Sequence, residues 1–198
     1  MSRAVGTCSA PVRSLIPSFL FGYMEASLNV NFPVYAVRNG IALEWVSVIL
    51  PAFVVGSLAL QMPLGKWSDK TGRQKVMTLC AVTGAAAFVA FPFAGDNVWA
   101  MMALLALAGA TVGSFYSLGL AFVADILPQG MVPTAGIIAS MNFSLASILA
   151  PNLNGVLLDS AWPGSMFAVM GGMLALFAVS GPFFRRRRSR QITATHGF

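Results

Sequence analysis

Charge is scarce in this sequence. Its 198 residues include six acids and one histidine, and the charged types together make up 9% of the chain. A water-soluble domain carries roughly 25% charged residues, so an ordinary soluble fold is excluded. The lone histidine, His196, lies in the polar tail. No Ser–His pair or His-based metal site can therefore form among the apolar stretches. Cys8 and Cys80 give no disulfide framework and no metal-ligand spacing. A nucleotide-binding Gly-Lys-(Ser/Thr) loop is also missing: Gly65-Lys66-Trp67 lacks the hydroxyl and the preceding glycine. No enzyme activity, cofactor or metal is expected. No small-residue cleavage site follows the first apolar stretch, so a cleavable signal peptide is not expected either.

What the chain does have is apolar length: 57% of it is hydrophobic. Apolar runs of about 20 residues that recur along a chain read as membrane-spanning helices, because lipid offers the backbone no hydrogen bonds. Six such spans are expected, Ser14–Val37, Trp45–Gly65, Val76–Ala94, Val98–Ala124, Met131–Leu158 and Ser165–Phe184. Breakers separate them at Arg38–Gly40, Gly95–Asn97, Leu127–Gly130 and Trp162–Gly164. The expectation is an all-α membrane protein with a segment at 1–13, a six-span domain at 14–184 and a basic tail at 185–198.

With an even number of spans, eleven bases fall on one side: Arg3, Arg13, Lys66, Lys70, Arg73, Lys75, Arg185 to Arg188 and Arg190. Only Arg38 falls on the other, together with the acids Glu44, Asp96 and Asp159. The positive-inside rule then puts both termini in the cytoplasm, with the protein in the cytoplasmic (inner) membrane. These bases gather at chain ends and one loop instead of covering a face. Nucleic acid is accordingly not an expected partner, and the arginine run reads as an anchor beside anionic lipid.

Polar residues sort by span. Glu25, Asn29 and Asn31 lie in the first, Gln61 in the second, Tyr116 in the fourth, and Asn142, Asn152 and Asn154 in the fifth. The third and sixth hold nothing more polar than Ser, Thr or Cys, so they should face lipid while the other four surround a polar space. Glu25, Asn29, Gln61, Tyr116, Asn142 and Asn154 are the candidate solute or proton pathway. A charged carboxylate at the depth of Glu25 costs about 2.5–3.5 kcal/mol. It shares one helical face with Ser18, Gly22 and Asn29. Either it lines a cavity as a coupling group or it is a structural residue bonded to a neighbouring helix. The asparagines of the fifth span, in a stripe with Ser140, Ser144, Ser147 and Pro151, suit interhelical bonding equally well. Gly109, Gly113 and Ser117 recur every fourth residue, a spacing that lets two membrane helices approach, although glycine is frequent in such helices in any case. Gly65–Asp69 and Gly155–Asp159 both read Gly-x-x-x-Asp at the ends of the second and fifth spans. That echo fits an inverted three-plus-three repeat.

The densest charge lies in Pro63–Met77, with Gly65, Asp69, Lys70, Gly72, Arg73 and Lys75 in the order Gly-x-x-x-Asp-Lys-x-Gly-Arg-x-Lys. This resembles the loop between the second and third of six spans in the major facilitator superfamily. Phe21–Ile41, Ser114–Pro128 and Leu149–Asp159 look like the seventh, tenth and eleventh spans of full-length members in the sugar- and drug-efflux-like branch. Leu105 stands where the amino-terminal half usually has an arginine, and only Pro151 and Gly155 remain of the antiporter pattern. The resemblance is therefore to a carboxyl-terminal half. It implies transport of a small solute, and a loop in which Arg73 reaches both Asp69 and Asp125 as a conformational latch. Asp69 is expected just ahead of the third helix, where a carboxylate favours the exposed amides, and Gly72 in a backbone conformation closed to other residues. Such a half needs a second six-span half, either another copy or a separate chain. The alternative is a truncated membrane fragment that transports nothing and serves as an interaction partner.

Overall fold

A computed structural model describes residues 3–95, 97–126, 129–159, 162 and 164–195. Asp96, Leu127, Pro128, Pro163 and His196 lie outside the described residues, as do the side chains of residues 3–15 and 181–195. The described chain forms six α-helices: α1 (Arg3–Arg38), α2 (Leu43–Thr71), α3 (Arg73–Ala90), α4 (Val98–Ile126), α5 (Val132–Leu158) and α6 (Ser165–Thr195). Short 3-10 turns follow α3 at Phe91–Ala94 and precede α5 at Gln129–Met131. Among the described residues four helical stretches are long and apolar enough to cross a membrane: α2, α3 with its 3-10 extension, Val98–Ala121 of α4, and α5. The apolar part of α6, Ser165–Ser180, is shorter.

Local chemistry explains the helix ends. The Asn39 amide turns back to the Tyr35 carbonyl at 2.8 Å, and Gly40 takes φ +72°. α3 gives way to a 3-10 turn where Pro92 removes a backbone donor, and the turn closes at Gly95. α2 runs six residues beyond the end expected from its apolar pattern. Its last turns are polar, and nothing breaks them before Gly72. Asp69 therefore lies inside the last turns of α2, not ahead of α3, whose first turn has no side-chain cap.

Two helix pairs make the most extensive contacts, α2 with α4 and α1 with α5, while α3 packs on α6 and α4. The α2–α4 pair is a backbone contact. A Cβ on Gly109 would strike the Phe53 carbonyl, one on Gly56 the Ala106 carbonyl, and one on Gly113 the Ser57 side chain. The small-residue stripe of α4 thus serves helix approach. Phe32, Tyr35, Phe91 and Phe167 form one aromatic cluster, with ring centroids 4.3–6.5 Å apart and every ring at most 4% exposed.

Burial is distributed differently from the expectation that α3 and α6 face lipid while α1, α2, α4 and α5 line a polar space. In the most apolar windows, 56% of α4 and 50% of α3 are buried, against 17% of α2 and of α5. α4 is central: it packs on α1, α2 and α3, with its own glycines against α2 and Gly84 of α3 against its Thr111.

Candidate functional site

At the end of the bundle where α2 turns into α3, three charged side chains meet. Gly72, at φ +99°, lets the chain reverse direction within a single residue, a conformation that side chains rarely adopt. The turn places Arg73 in the first turn of α3 over the last turns of α2. Its Nη2 bonds Asp69 Oδ1 at 3.0 Å, and its Nε bonds Asp125 Oδ2 near the end of α4 at 2.7 Å. One guanidinium thus links three helices. Arg73 is 21% exposed, while the two acids are more than half exposed. Lys70 and Lys75 point to the surroundings, and Gly65 has open space where a side chain would begin.

A second ionic contact closes the opposite end. Arg38, the last residue of α1, bonds Asp159 Oδ1 at 2.6 Å through Nη2 and donates to the Leu158 carbonyl at 2.5 Å through Nη1. It joins the ends of α1 and α5, and Asp159 closes the Gly-x-x-x-Asp echo of the Asp69 segment.

Between these ends the candidate pathway residues separate. Asn154 is fully buried between α1 and α5, accepting from the Tyr23 hydroxyl at 3.2 Å and donating to Ser27 Oγ at 2.5 Å. Asn31 adds a longer bond to the Pro151 carbonyl at 3.4 Å. Asn154 is thus a tie between two helices. Gln61 donates to Ser117 across the α2–α4 seam. Glu25 is half-buried and Asn29 exposed on one face of α1; neither has a hydrogen bond or ion pair within the described residues. Asn142 is half-buried on α5, also without one.

Tyr116 borders a cavity. The space, about 300 Å³, is lined by Phe21 of α1, Tyr116 of α4, and Ser140, Phe143 and Ser144 of α5. Phe21 and Phe143 were not singled out in the sequence, because single phenylalanines in an apolar run look like core. The tryptophans were missed in the same way. All four are 43–75% exposed, and all sit at helix ends: Trp67 beside the α2–α3 turn, and Trp45, Trp99 and Trp162 at the opposite end. Amphipathic rings at both ends of an apolar bundle match the aromatic belts of membrane proteins, a pattern visible only once the helix ends are known.

Comparison with known proteins agrees with this membrane bundle. Over 155 residues the chain is 38% identical to "Uncharacterized MFS-type transporter YfkF" of Bacillus subtilis (strain 168). The match covers 78% of this chain and 39% of that relative, so the chain spans well under half of its relative's length. The model of the Major Facilitator Superfamily matches residues 15–197. A multi-pass apolar bundle, matched over almost its whole length by that model, belongs to the Major Facilitator Superfamily.

Proposed function

We propose that the chain is the carboxyl-terminal six-span half of a secondary transporter. It moves a small solute across the cytoplasmic membrane with both termini on the cytoplasmic side, and a second six-span half, a separate chain or another copy, completes the pathway. The observation that carries this reading is the uneven burial of the helices. Of the four apolar crossings α2 and α5 are the least buried, and α5 exposes Ser140, Ser144 and Asn152, as α1 exposes Asn29. Lipid gives polar groups no return, whereas a watery path between two halves does. The relative, of which this chain covers 39%, has length for a second unit of this size.

An inverted three-plus-three arrangement is supported by the pairing of helices. Exchanging the first three helices for the last three turns the α1–α5 contact into the α4–α2 contact, and these are the two largest. In this reading Arg73, Asp69 and Asp125 are the cytoplasmic latch, assembled on the Gly65 and Gly72 turn with Lys70 and Lys75 holding its topology. Glu25, a carboxylate within α1 with no partner among the described residues, is the coupling group for protons.

Reconstitution in proteoliposomes tests the proposal, with the chain alone and with a six-span partner, under an imposed pH gradient. Solute flux is expected only when two halves are present, with its pH dependence lost in Glu25→Gln. A chain that inserts but carries nothing with any partner would establish the non-transporting fragment instead.

A further inference from the structure

Among the described residues two aromatic clusters of three or more rings stand out, one closed and one open. Phe32, Tyr35, Phe91 and Phe167 bury their rings in one another. Phe21, Tyr116 and Phe143 also touch, with centroids 6.1 Å (Phe21–Tyr116), 5.9 Å (Phe21–Phe143) and 6.3 Å (Tyr116–Phe143) apart. All three, however, are only partly buried and border the cavity of about 300 Å³. That volume is at the low end for small-molecule sites. It suits one or two fused rings.

The polar groups at this cavity have a direction. Ser140 Oγ donates to the Gly136 carbonyl and Ser144 Oγ to the Ser140 carbonyl, each at 3.0 Å. Their protons are committed, and only acceptor lone pairs remain. The Tyr116 hydroxyl has no hydrogen-bond partner among the described residues. A solute settled among these rings therefore meets aromatic faces, two serine acceptors and one phenol that both donates and accepts, so a donor on the solute is the group that all three oxygens can take up. We propose that this cavity binds a compact aromatic solute of one or two rings carrying a hydrogen-bond donor. Aromatic pairs in edge-to-face or offset contact gain more than apolar burial alone, so the site separates a flat ring from a saturated one of similar size. The inference rests on the transporter reading above but is read by binding alone.

The test uses the whole chain in lipid nanodiscs, with empty nanodiscs as the baseline for partition, and three probes: 2-naphthol, naphthalene and decahydro-2-naphthol. Saturation-transfer NMR or calorimetry is expected to show 2-naphthol bound about tenfold more tightly than the saturated alcohol and about threefold more tightly than naphthalene. Phe143→Leu should reduce 2-naphthol binding about tenfold while leaving the saturated alcohol nearly unchanged. Phe143 also packs on Gly22, so Tyr116→Phe is the second variant. It keeps the ring and should reduce the advantage of 2-naphthol over naphthalene to what the two serine acceptors supply. Equal binding of 2-naphthol and decahydro-2-naphthol above the empty-disc baseline would overturn the proposal, as would probe ratios unmoved by Tyr116→Phe. Selective binding without flux in any reconstituted pair would sink the transporter reading and leave this site standing. Flux without selectivity would do the reverse.

Discussion

The seams α2–α4 and α1–α5 solve the same problem by different means. Along α2–α4, Gly56, Gly109 and Gly113 bring one backbone against another, and the Gln61–Ser117 bond lies at one end. Along α1–α5, hydrogen bonds run through the contact, from Tyr23 and Ser27 on Asn154 to Asn31 on the Pro151 carbonyl and Arg38 on the Leu158 carbonyl. In lipid, where burying apolar surface against another helix gains little, close packing and interhelical hydrogen bonds are the two sources of association. The first tolerates no added volume. The second has one such close approach, at Gly22, where a Cβ would meet the Phe143 carbonyl, and otherwise depends on keeping its partners.

The sharpest way to break this contrast is to add volume to the glycine seam. Gly109→Leu places a side chain where the Phe53 backbone already is, and the helices must separate along their length. We expect destabilisation of about 3 kcal/mol or more, read as loss of the folded bundle in a detergent-titrated helicity assay. Gly136 on α5 has open space at its Cβ, so Gly136→Ala should change stability by no more than about 1 kcal/mol. Equal sensitivity at the two glycines would show that the close approach at Gly109 is not a determinant of the seam.

Removing a bond from the other seam should matter less. Asn154→Leu keeps the volume but strands the Tyr23 hydroxyl and Ser27. Interhelical hydrogen bonds in membranes are worth about 0.6 kcal/mol on average and about 1.7 at most, so a loss of about 1–2 kcal/mol is expected in the same assay. Asn154→Gln, able to reach one partner, should recover part of it. A larger loss for Asn154→Leu than for Gly109→Leu would reverse the comparison.

Much of the helical order was legible in the sequence, because apolar length and breakers act locally. Gly40, Gly72 and Gly95 mark turns, and all three have positive φ. The charged turn was legible through its resemblance to the family's loop, which implied that Arg73 reaches both Asp69 and Asp125, the two contacts it makes. What could not be read was which face of each helix meets which neighbour. Asn154 and Gln61 are polar groups in apolar runs, and nothing local distinguishes a tie between helices from a pathway lining. The open aromatic trio comes from three helices far apart in sequence, so no window of the chain contains it. Asp69 was misplaced for a different reason: hydropathy marks where a helix leaves the apolar layer, whereas the helix itself continues until a residue such as Gly72 ends it.

The smallest effects are expected at the two ionic ends, where the comparison can be sharpened. Arg73 is mostly shielded and holds two acids, whereas Arg38 is 47% exposed and holds one carboxylate and one carbonyl. Exposed ion pairs contribute about 0–1 kcal/mol and are screened by salt. Asp159→Asn should therefore cost a few tenths of a kcal/mol at low ionic strength, with nothing measurable left in high salt. Asp125→Asn should cost somewhat more stability, still within about 1 kcal/mol. If Arg73 is a latch, its larger effect is on flux: in a reconstituted pair of halves, Asp125→Asn should lower transport several-fold at nearly unchanged stability. The two variants have similar thermodynamic weight. A difference between them in flux therefore measures what the three-way link at the α2–α3 turn does beyond holding helices together, and equal flux would reduce both ends to struts.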